Sequence, residues 1–92
     1  MKKIKTSRQL ERHFKGVANH RRIDILLIVN NSQGISLDGI AVRLKGNFKT
    51  ISEHTRKLVQ SGLINKKYKG TTVTHFLSPY GQTFVKFIRS FY

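Results

Sequence analysis

The segment FKTISEHTRKLVQSGLI, residues 48–64, places hydrogen-bonding side chains along one edge of a predicted helix. Lysine and arginine donate to guanine or to phosphate, serine and threonine donate or accept, and glutamate accepts from cytosine. The opposite edge, which includes Ile51 and Leu58, is apolar, as expected for a helix that packs on a core. The candidate contact residues of this helix, predicted over residues 48–61, are Asn47, Phe48, Lys49, Thr50, Ser52, Glu53, His54, Arg56 and Lys57.

Some of these side chains also have a purely structural interpretation. Glu53 could pair with Lys57 four residues later, an interaction worth only about 0.3–0.5 kcal/mol on a helix surface. His54 lies at the border between the two edges, where a hydrogen-bonded boundary histidine is as reasonable as a contact with a base or a phosphate. The polar edge as a whole could also be an ordinary solvated helix face.

A second group of donors lies in residues 63–77, LINKKYKGTTVTHFL, which read as two strands joined at Lys69-Gly70. Lysines on an exposed ribbon suit the phosphates of a nucleic acid, contacts that position a protein without reading sequence. Lysine on an edge strand also blocks aggregation, and the two roles are compatible. The candidate contact residues of this hairpin are Lys66, Lys67, Lys69 and Thr71.

Charge is the strongest signal in the composition. Eighteen Lys and Arg residues face four Asp and Glu residues, which gives a net charge of +14. A field of this strength points to a polyanionic partner, with nucleic acid as the first candidate and a membrane surface as the second. Solubility alone is a weaker explanation, because acidic residues serve that purpose as well or better. The chain has no cysteine, so disulfides and thiolate metal sites are excluded.

The 92 residues are enough for a single domain, residues 1–92. The basic start MKKIK is not followed by the apolar run of a signal peptide, and we expect residues 1–6 to be flexible. The longest apolar run, Ile25–Val29, is far shorter than the roughly 20 residues that span a bilayer. We therefore expect a soluble protein of the cytoplasm, associated with the nucleoid and not with a membrane.

Hydrophobic spacing and capping residues predict a mainly α fold with a small β-hairpin, an α+β domain. The predicted order is helix, helix, short strand at Ile35, helix, helix, strand, strand, helix. Residues 20–30 are predicted to be a helix that is buried nearly all round. The third helix is short and is joined to the fourth by a tight turn at Lys45-Gly46, which is the helix-turn-helix arrangement. The predicted N-caps are Thr6 or Ser7, Asn19, Ser36, Asn47 and Ser78, the last followed by Pro79.

The first and last helices carry an apolar stripe that a small core does not need in full. In a chain of this length the core is thin, so association of two copies would help to cover the stripe. The alternative is that the stripe packs within one monomer, with the last helix lying on Leu10 and Phe14. The residues assigned to an interface between two copies are Leu10, Phe14, Tyr80, Phe84, Phe87, Ile88 and Phe91, with residues 79–92 as the dimerisation helix.

Four segments, taken in order, resemble the ArsR-type winged helix-turn-helix repressors of bacteria and archaea. FKGVANHRRIDIL, residues 14–26, resembles the end of the family's first helix and the start of its second. SLDGIAVRL, residues 36–44, resembles the third helix, and KTISEHTRKLVQSGLI, residues 49–64, resembles the recognition helix. GTTVTHFLSPYG, residues 70–81, resembles the wing and the entry to the last helix. The resemblance covers roughly residues 8–92.

This resemblance implies a homodimer joined through its first and last helices. It also implies that Lys49, Ser52, Glu53, His54 and Arg56 meet an operator, while the wing, residues 63–77, meets the DNA backbone. Metal-sensing members carry cysteines in the third helix, where this chain has Ser36 and Asp38, or Asp, Glu and His along the last helix, where residues 79–92 have none. The histidines lack ligand-like spacing. We therefore predict no metal at either of these sites, and no cofactor.

The sequence is compatible with three functions. The first is a sequence-specific regulator of double-stranded DNA, a homodimeric repressor on a pseudo-palindromic operator. The second is an architectural, nucleoid-type DNA-binding protein with little sequence preference. The third is a winged-helix interaction module for an acidic protein partner. No Gly-rich phosphate loop and no Ser/His/Asp set is evident, and four acidic residues leave little for acid–base chemistry, so we predict no enzymatic activity.

Overall fold

A computed structural model describes residues 5–92 of the chain. Residues 1–4, the greater part of the segment predicted to be flexible, lie outside the described residues. At the other end of that segment, Thr6 has a defined role, because its hydroxyl accepts from the Gln9 amide at 3.2 Å. The Gln9 side chain in turn accepts from the Thr6 amide at 2.8 Å, which completes a capping box at the start of the first helix.

Within residues 5–92, five helices begin where the capping residues predict. They are α1 (Ser7–Val17), α2 (His20–Asn31), α3 (Leu37–Leu44), α4 (Phe48–Gln60) and α5 (Pro79–Arg89). In each case the side chain of the residue before the helix accepts a hydrogen bond from an amide of the first turn. The last helix ends at Arg89, so Phe91 lies beyond it, although its ring still meets Phe87 edge-on at 5.2 Å.

Three strands form one antiparallel sheet in the order β1-β3-β2, where β1 is Ile35–Ser36, β2 is Ile64–Lys69 and β3 is Thr72–Leu77. The short first strand pairs with β3, and Ile35 lies opposite His75. Because β2 and β3 pair out to Lys69 and Thr72, the two-residue loop is Gly70-Thr71, one residue later than predicted. Gly70 has φ +63°, which suits the first position of a type II′ turn, where glycine is preferred.

The core lies between α2, the inner edges of α3 and α4, and the base of the hairpin. Ile25, Leu26 and Val29 of α2 are fully buried, and Leu27 and Ile28 are partly buried against the same cluster. The prediction that this helix is buried nearly all round therefore holds for residues 25–29, whereas its first turn is partly exposed. The full core is Val17, Ile25, Leu26, Val29, Ile40, Ala41, Ile51, Leu58, Leu63, Ile64, Leu77 and Val85.

The connection between α3 and α4 is tight. Lys45 is left-handed, with φ 50°, and its amide donates to the last carbonyls of α3, a common way to end a helix. Asn47, two residues after Lys45, accepts from the Thr50 amide at 3.2 Å and is the N-cap of α4. The two helices thus form the predicted helix-turn-helix. None of the helices between residues 5 and 92 combines the length and apolar character that crossing a lipid bilayer requires.

Candidate nucleic-acid interface

The fourth helix separates its two edges as predicted. Ile51, Thr55 and Leu58 are buried, and the Thr55 hydroxyl is satisfied by the Ile51 carbonyl at 2.8 Å. The opposite edge is open to solvent. Its exposed candidate residues are Asn47, Phe48, Lys49, Thr50, Glu53, Arg56 and Lys57, while Ser52 and His54 are partly buried. We call the exposed side chains of α4 together with those of the β2–β3 hairpin the reading face.

Glu53 pairs with Arg56, three residues later, and not with Lys57. The Arg56 Nη2 and the Glu53 Oε2 are 3.3 Å apart, and both side chains remain more than half exposed. Exposed pairs of this kind contribute at most about 1 kcal/mol, since solvent screens the charges. Either partner can therefore exchange this contact for one with a base or a phosphate at little cost.

His54 is held by a residue far away in sequence. Arg22 of α2 donates from its Nε to the His54 Nδ1 at 3.2 Å. Burial, followed by the nearby charge of Arg22, lowers the pKa of His54 from its ordinary value of 6.5. The neutral ring that accepts at Nδ1 carries its proton on Nε2, where it is a donor. The boundary histidine predicted from the sequence is thus hydrogen-bonded, and it keeps one donor.

The hairpin presents its lysines on two faces. Since strand side chains alternate, Lys66 shares the face of His75, whereas Lys67 and Lys69 lie on the other face with Thr74 and Thr72. The Lys67 Nζ lies 4.8 Å from the centre of the Phe76 ring, a cation–π contact. Lys66, Lys67, Lys69 and Thr71 are all exposed, but they do not form a single row.

A second exposed surface is apolar and lies on α1 and α5. Phe14, Tyr80 and Phe87 are roughly half exposed, and Phe91 is 75% exposed. Phe84 and Ile88 are partly buried against the core, and Phe84 meets Phe14 edge-on at 5.1 Å. Packing within the monomer therefore covers only part of the predicted stripe. We call Leu10, Phe14, Tyr80, Phe84, Phe87, Ile88 and Phe91 the α1–α5 face.

The face of α5 that turns inward differs from the predicted stripe. Val85 is buried in the core, and Gly81 lies directly on the backbone of Leu63, at the start of the hairpin. A methyl group at Gly81 would overlap the Leu63 carbonyl oxygen. This close approach is the reason that glycine occupies the position.

The first helix touches the end of α4 through contacts that the sequence did not indicate. The His13 Nδ1 donates to the Ser61 carbonyl at 2.6 Å, and its ring lies 4.6 Å from that of Tyr80. Gly16 faces the Ser61 side chain so closely that a methyl group would overlap it. Arg12 donates to the Gln60 carbonyl from both Nε and Nη2, at 3.0 and 2.6 Å. Basic side chains commonly satisfy the last carbonyls of a helix in this way.

Among residues 5–92, no three His, Asp or Glu side chains come together in a way that could hold a metal ion. The predicted absence of metal at the two family sites stays a prediction.

No family model matches the sequence, and no curated protein matches it. Solved structures do. HlyU from Vibrio cholerae superposes with a TM-score of 0.84 at 25% identity, over 98% of this chain and 98% of that one. The transcriptional regulator HlyU from Vibrio vulnificus gives 0.78 at 28% identity, over 94% and 90% of the two chains. The homodimeric winged helix-turn-helix DNA-binding domain of Mb0332 from Mycobacterium bovis, a possible ArsR-family regulator, gives 0.82 at 21% identity, over 98% and 88%.

These neighbours confirm the predicted winged helix-turn-helix fold, which this chain shares with the transcriptional regulator HlyU and with a possible ArsR-family regulator. In the terms of that fold, α4 is the recognition helix and the β2–β3 hairpin is the wing. The sheet confirms the predicted order of elements, with β1 added at the edge of β3.

Proposed function

We propose that this chain, which shares its fold with HlyU and ArsR-family transcriptional regulators, is a sequence-specific regulator that binds double-stranded DNA as a homodimer. In this proposal α4 enters the major groove, the wing follows the DNA backbone, and the protein acts as a repressor at the nucleoid in the cytoplasm. It has no enzymatic activity and needs no cofactor or metal. The observation that carries the proposal is the exposed polar edge of α4.

The chemistry of that edge supports reading of bases. Lys49 and Arg56 can donate to guanine, Glu53 can accept from cytosine, and all three are exposed. The opposite edge is fixed in the core at Ile51 and Leu58, so α4 presents these groups on a rigid element. An architectural protein would have less use for an exposed carboxylate in the middle of its contact surface, because Glu53 repels phosphate.

The second part of the proposal is the dimer. The α1–α5 face exposes aromatic side chains with no charged residue among its seven members. In a two-fold dimer the same patch meets itself, so an uncharged apolar face suits this symmetry. Two recognition helices would then read half-sites about one helical turn, roughly 34 Å, apart.

Selection of bound duplexes from a random pool, with the full chain, tests this function. We expect an inverted repeat whose half-sites are about one helical turn apart. With about 6–10 phosphates neutralised per dimer, affinity should fall roughly 10³–10⁵-fold between 50 and 200 mM salt. Recovery of DNA without a common sequence would favour the architectural function. Absence of DNA binding, together with capture of an acidic protein, would favour the interaction module.

A further inference from the structure

Four basic side chains from three helices surround one shallow depression that adjoins the predicted reading face at Lys57. Arg12 and Lys15 come from α1, Arg22 from α2 and Lys57 from α4, and the depression has a volume of about 320 Å³. Gly16, Gln60 and Ser61 line the rest of it. We call this feature the basic depression.

The two arginines are held in place before any ligand arrives. Arg12 is fixed by its two bonds to the Gln60 carbonyl. Arg22 donates from Nε to His54 and from Nη1 to the carbonyls of Lys15 and Gly16, at 3.3 and 3.4 Å. Within residues 5–92 the Nη2 group of Arg22 has no protein acceptor. An anion that binds here therefore finds donors whose conformational entropy is already lost.

The charge of the depression has little internal compensation. Its lining contains no acidic residue. Among residues 5–92, the ion pair formed by its cations is that of Lys15 with Glu11, in which the Lys15 Nζ and the Glu11 Oε2 are 3.5 Å apart and both side chains are exposed. Capping of helix carbonyls accounts for the places of Arg12 and Arg22. It does not account for the convergence of two further lysines on the same spot, since like charges placed together repel.

We infer that the basic depression binds a phosphate of the DNA backbone beside the groove that α4 occupies. The inference rests on the proposed function and adds a third contact to those of the recognition helix and the wing. Lys57 belongs both to the reading face and to the depression, so a strand that passes along α4 reaches the depression without leaving the protein surface. A phosphodiester offers the oxygen acceptors that guanidinium and ammonium groups prefer.

Measurement of the salt dependence of DNA binding tests this contact. Lys15→Gln removes one charge from the depression at an exposed position, and Lys86→Gln on α5 is the matched control. Each phosphate contact adds about 0.9 to the slope of log K against log salt, and a dimer has two depressions. We expect Lys15→Gln to lower the slope by about 1.8, equally for selected and random duplexes, and Lys86→Gln to leave it unchanged.

Several results would overturn the inference. If the slope of log K against log salt is steep for the wild type and unchanged by Lys15→Gln, the depression does not contact DNA. The proposed function would stand in that case. Equal loss from Lys86→Gln would show a general charge effect only. Loss of binding to vesicles of anionic phospholipid, with no change on DNA, would assign the depression to a membrane. If the wild-type chain binds no DNA at all, the proposed function fails first.

Arg22→Gln gives a second readout with a check on folding. This variant removes bonds to the end of α1 and to the His54 side chain of α4, so its circular dichroism and melting temperature are measured alongside DNA binding. Ethylation of the phosphate that meets the depression should weaken binding of the wild type. The same ethylation should have no effect on folded Arg22→Gln. Persistence of that interference in the variant would contradict the inference.

Discussion

The α1–α5 face and the reading face are both exposed, yet they differ in almost every chemical respect. The seven side chains of the first are apolar and mostly aromatic, with one cation, the Lys5 Nζ, 4.4 Å from the centre of the Tyr80 ring. The second carries six cations on α4 and the wing: Lys49, Arg56, Lys57, Lys66, Lys67 and Lys69. Covering an apolar patch with another apolar surface is favourable because it removes both from water. A cationic patch is instead stabilised by a polyanion. Exposure alone therefore does not assign a surface, and its chemistry indicates which kind of partner completes it.

The largest expected effect comes from placing a charge on the α1–α5 face. Phe87→Asp would bury an unpaired carboxylate at each side of the proposed two-fold interface. We expect the dissociation constant of the dimer to rise at least about 100-fold, with a parallel loss of operator binding. Sedimentation equilibrium measures the first and fluorescence anisotropy the second. Tyr68→Asp, at a wing residue that is 75% exposed, is the control and should leave the dimer intact.

A smaller effect is expected at the contact between α5 and the start of the hairpin, where Gly81 lies on Leu63. Gly81→Ala would push a methyl group into the Leu63 carbonyl, and overpacking of this kind costs about 1–3 kcal/mol. Urea denaturation should show a lower midpoint with an unchanged slope. The control is Gly70→Ala, where the space is open and only the left-handed backbone, φ +63°, opposes the change, at a cost of roughly 1–2 kcal/mol. An equal or greater loss from the control would contradict the close contact.

Within the reading face, the recognition helix and the wing should respond differently. Arg56→Ala should cost about 1–3 kcal/mol of binding and relax selectivity at one base pair. Lys69→Ala should weaken all sequences alike and lower the salt slope by about 0.9 for each wing, about 1.8 for the dimer. Anisotropy titrations on the selected operator and on random DNA measure both quantities. Identical behaviour of the two variants on both DNAs would show that the recognition helix does not read bases differently from the way the wing contacts the backbone.

The smallest expected effect is on pH dependence. Burial lowers the pKa of His75 from its ordinary value of 6.5, against the hydrogen bond to Ile35, which raises it. The pKa of His54 is also lowered. The unfolded chain then binds more protons, so stability is complete above about pH 6.5 and falls as the pH drops below it. The melting temperature should decrease from pH 7.5 to 5.5.

His75→Asn should flatten this pH profile, even if it also lowers the melting temperature at pH 7.5 by removing the 2.9 Å bond to the Ile35 carbonyl. A wild-type melting temperature that rises on acidification would show that the sign is wrong.

The sequence predicted what local rules encode. Caps such as Asn19 and Ser78 act within four residues, and the apolar edge of α4 follows from its period, so both could be located without a structure. The predicted turn, Lys69-Gly70, lies one residue before the observed loop, because glycine is preferred at the first loop position and Gly70 therefore begins the loop. The structural interpretation of Glu53 predicts a pair with Lys57, whereas the observed partner is Arg56, since spacings of three and four are both possible on a helix.

Contacts between distant segments could not be predicted in this way. Arg12 reaches Gln60, and His13 reaches Ser61, each across 48 residues of sequence. Arg22 reaches His54 across 32 residues. No periodic pattern marks such a pair, because each residue alone resembles an ordinary surface or boundary residue. The basic depression therefore could not be predicted from the sequence, because its residues come together only when α1, α2 and α4 pack.

The close approach of Gly16 to Ser61 has a consequence for the spacing of a binding site. With no room for even a methyl group between the first helix and the end of the fourth, and with His13 bonded across the same junction, the two move together. In the proposed dimer the span between recognition helices is then fixed by how the two α1–α5 faces meet. An operator with one more base pair between its halves, about 3.4 Å longer, would demand a different α1–α5 face and not a different fourth helix.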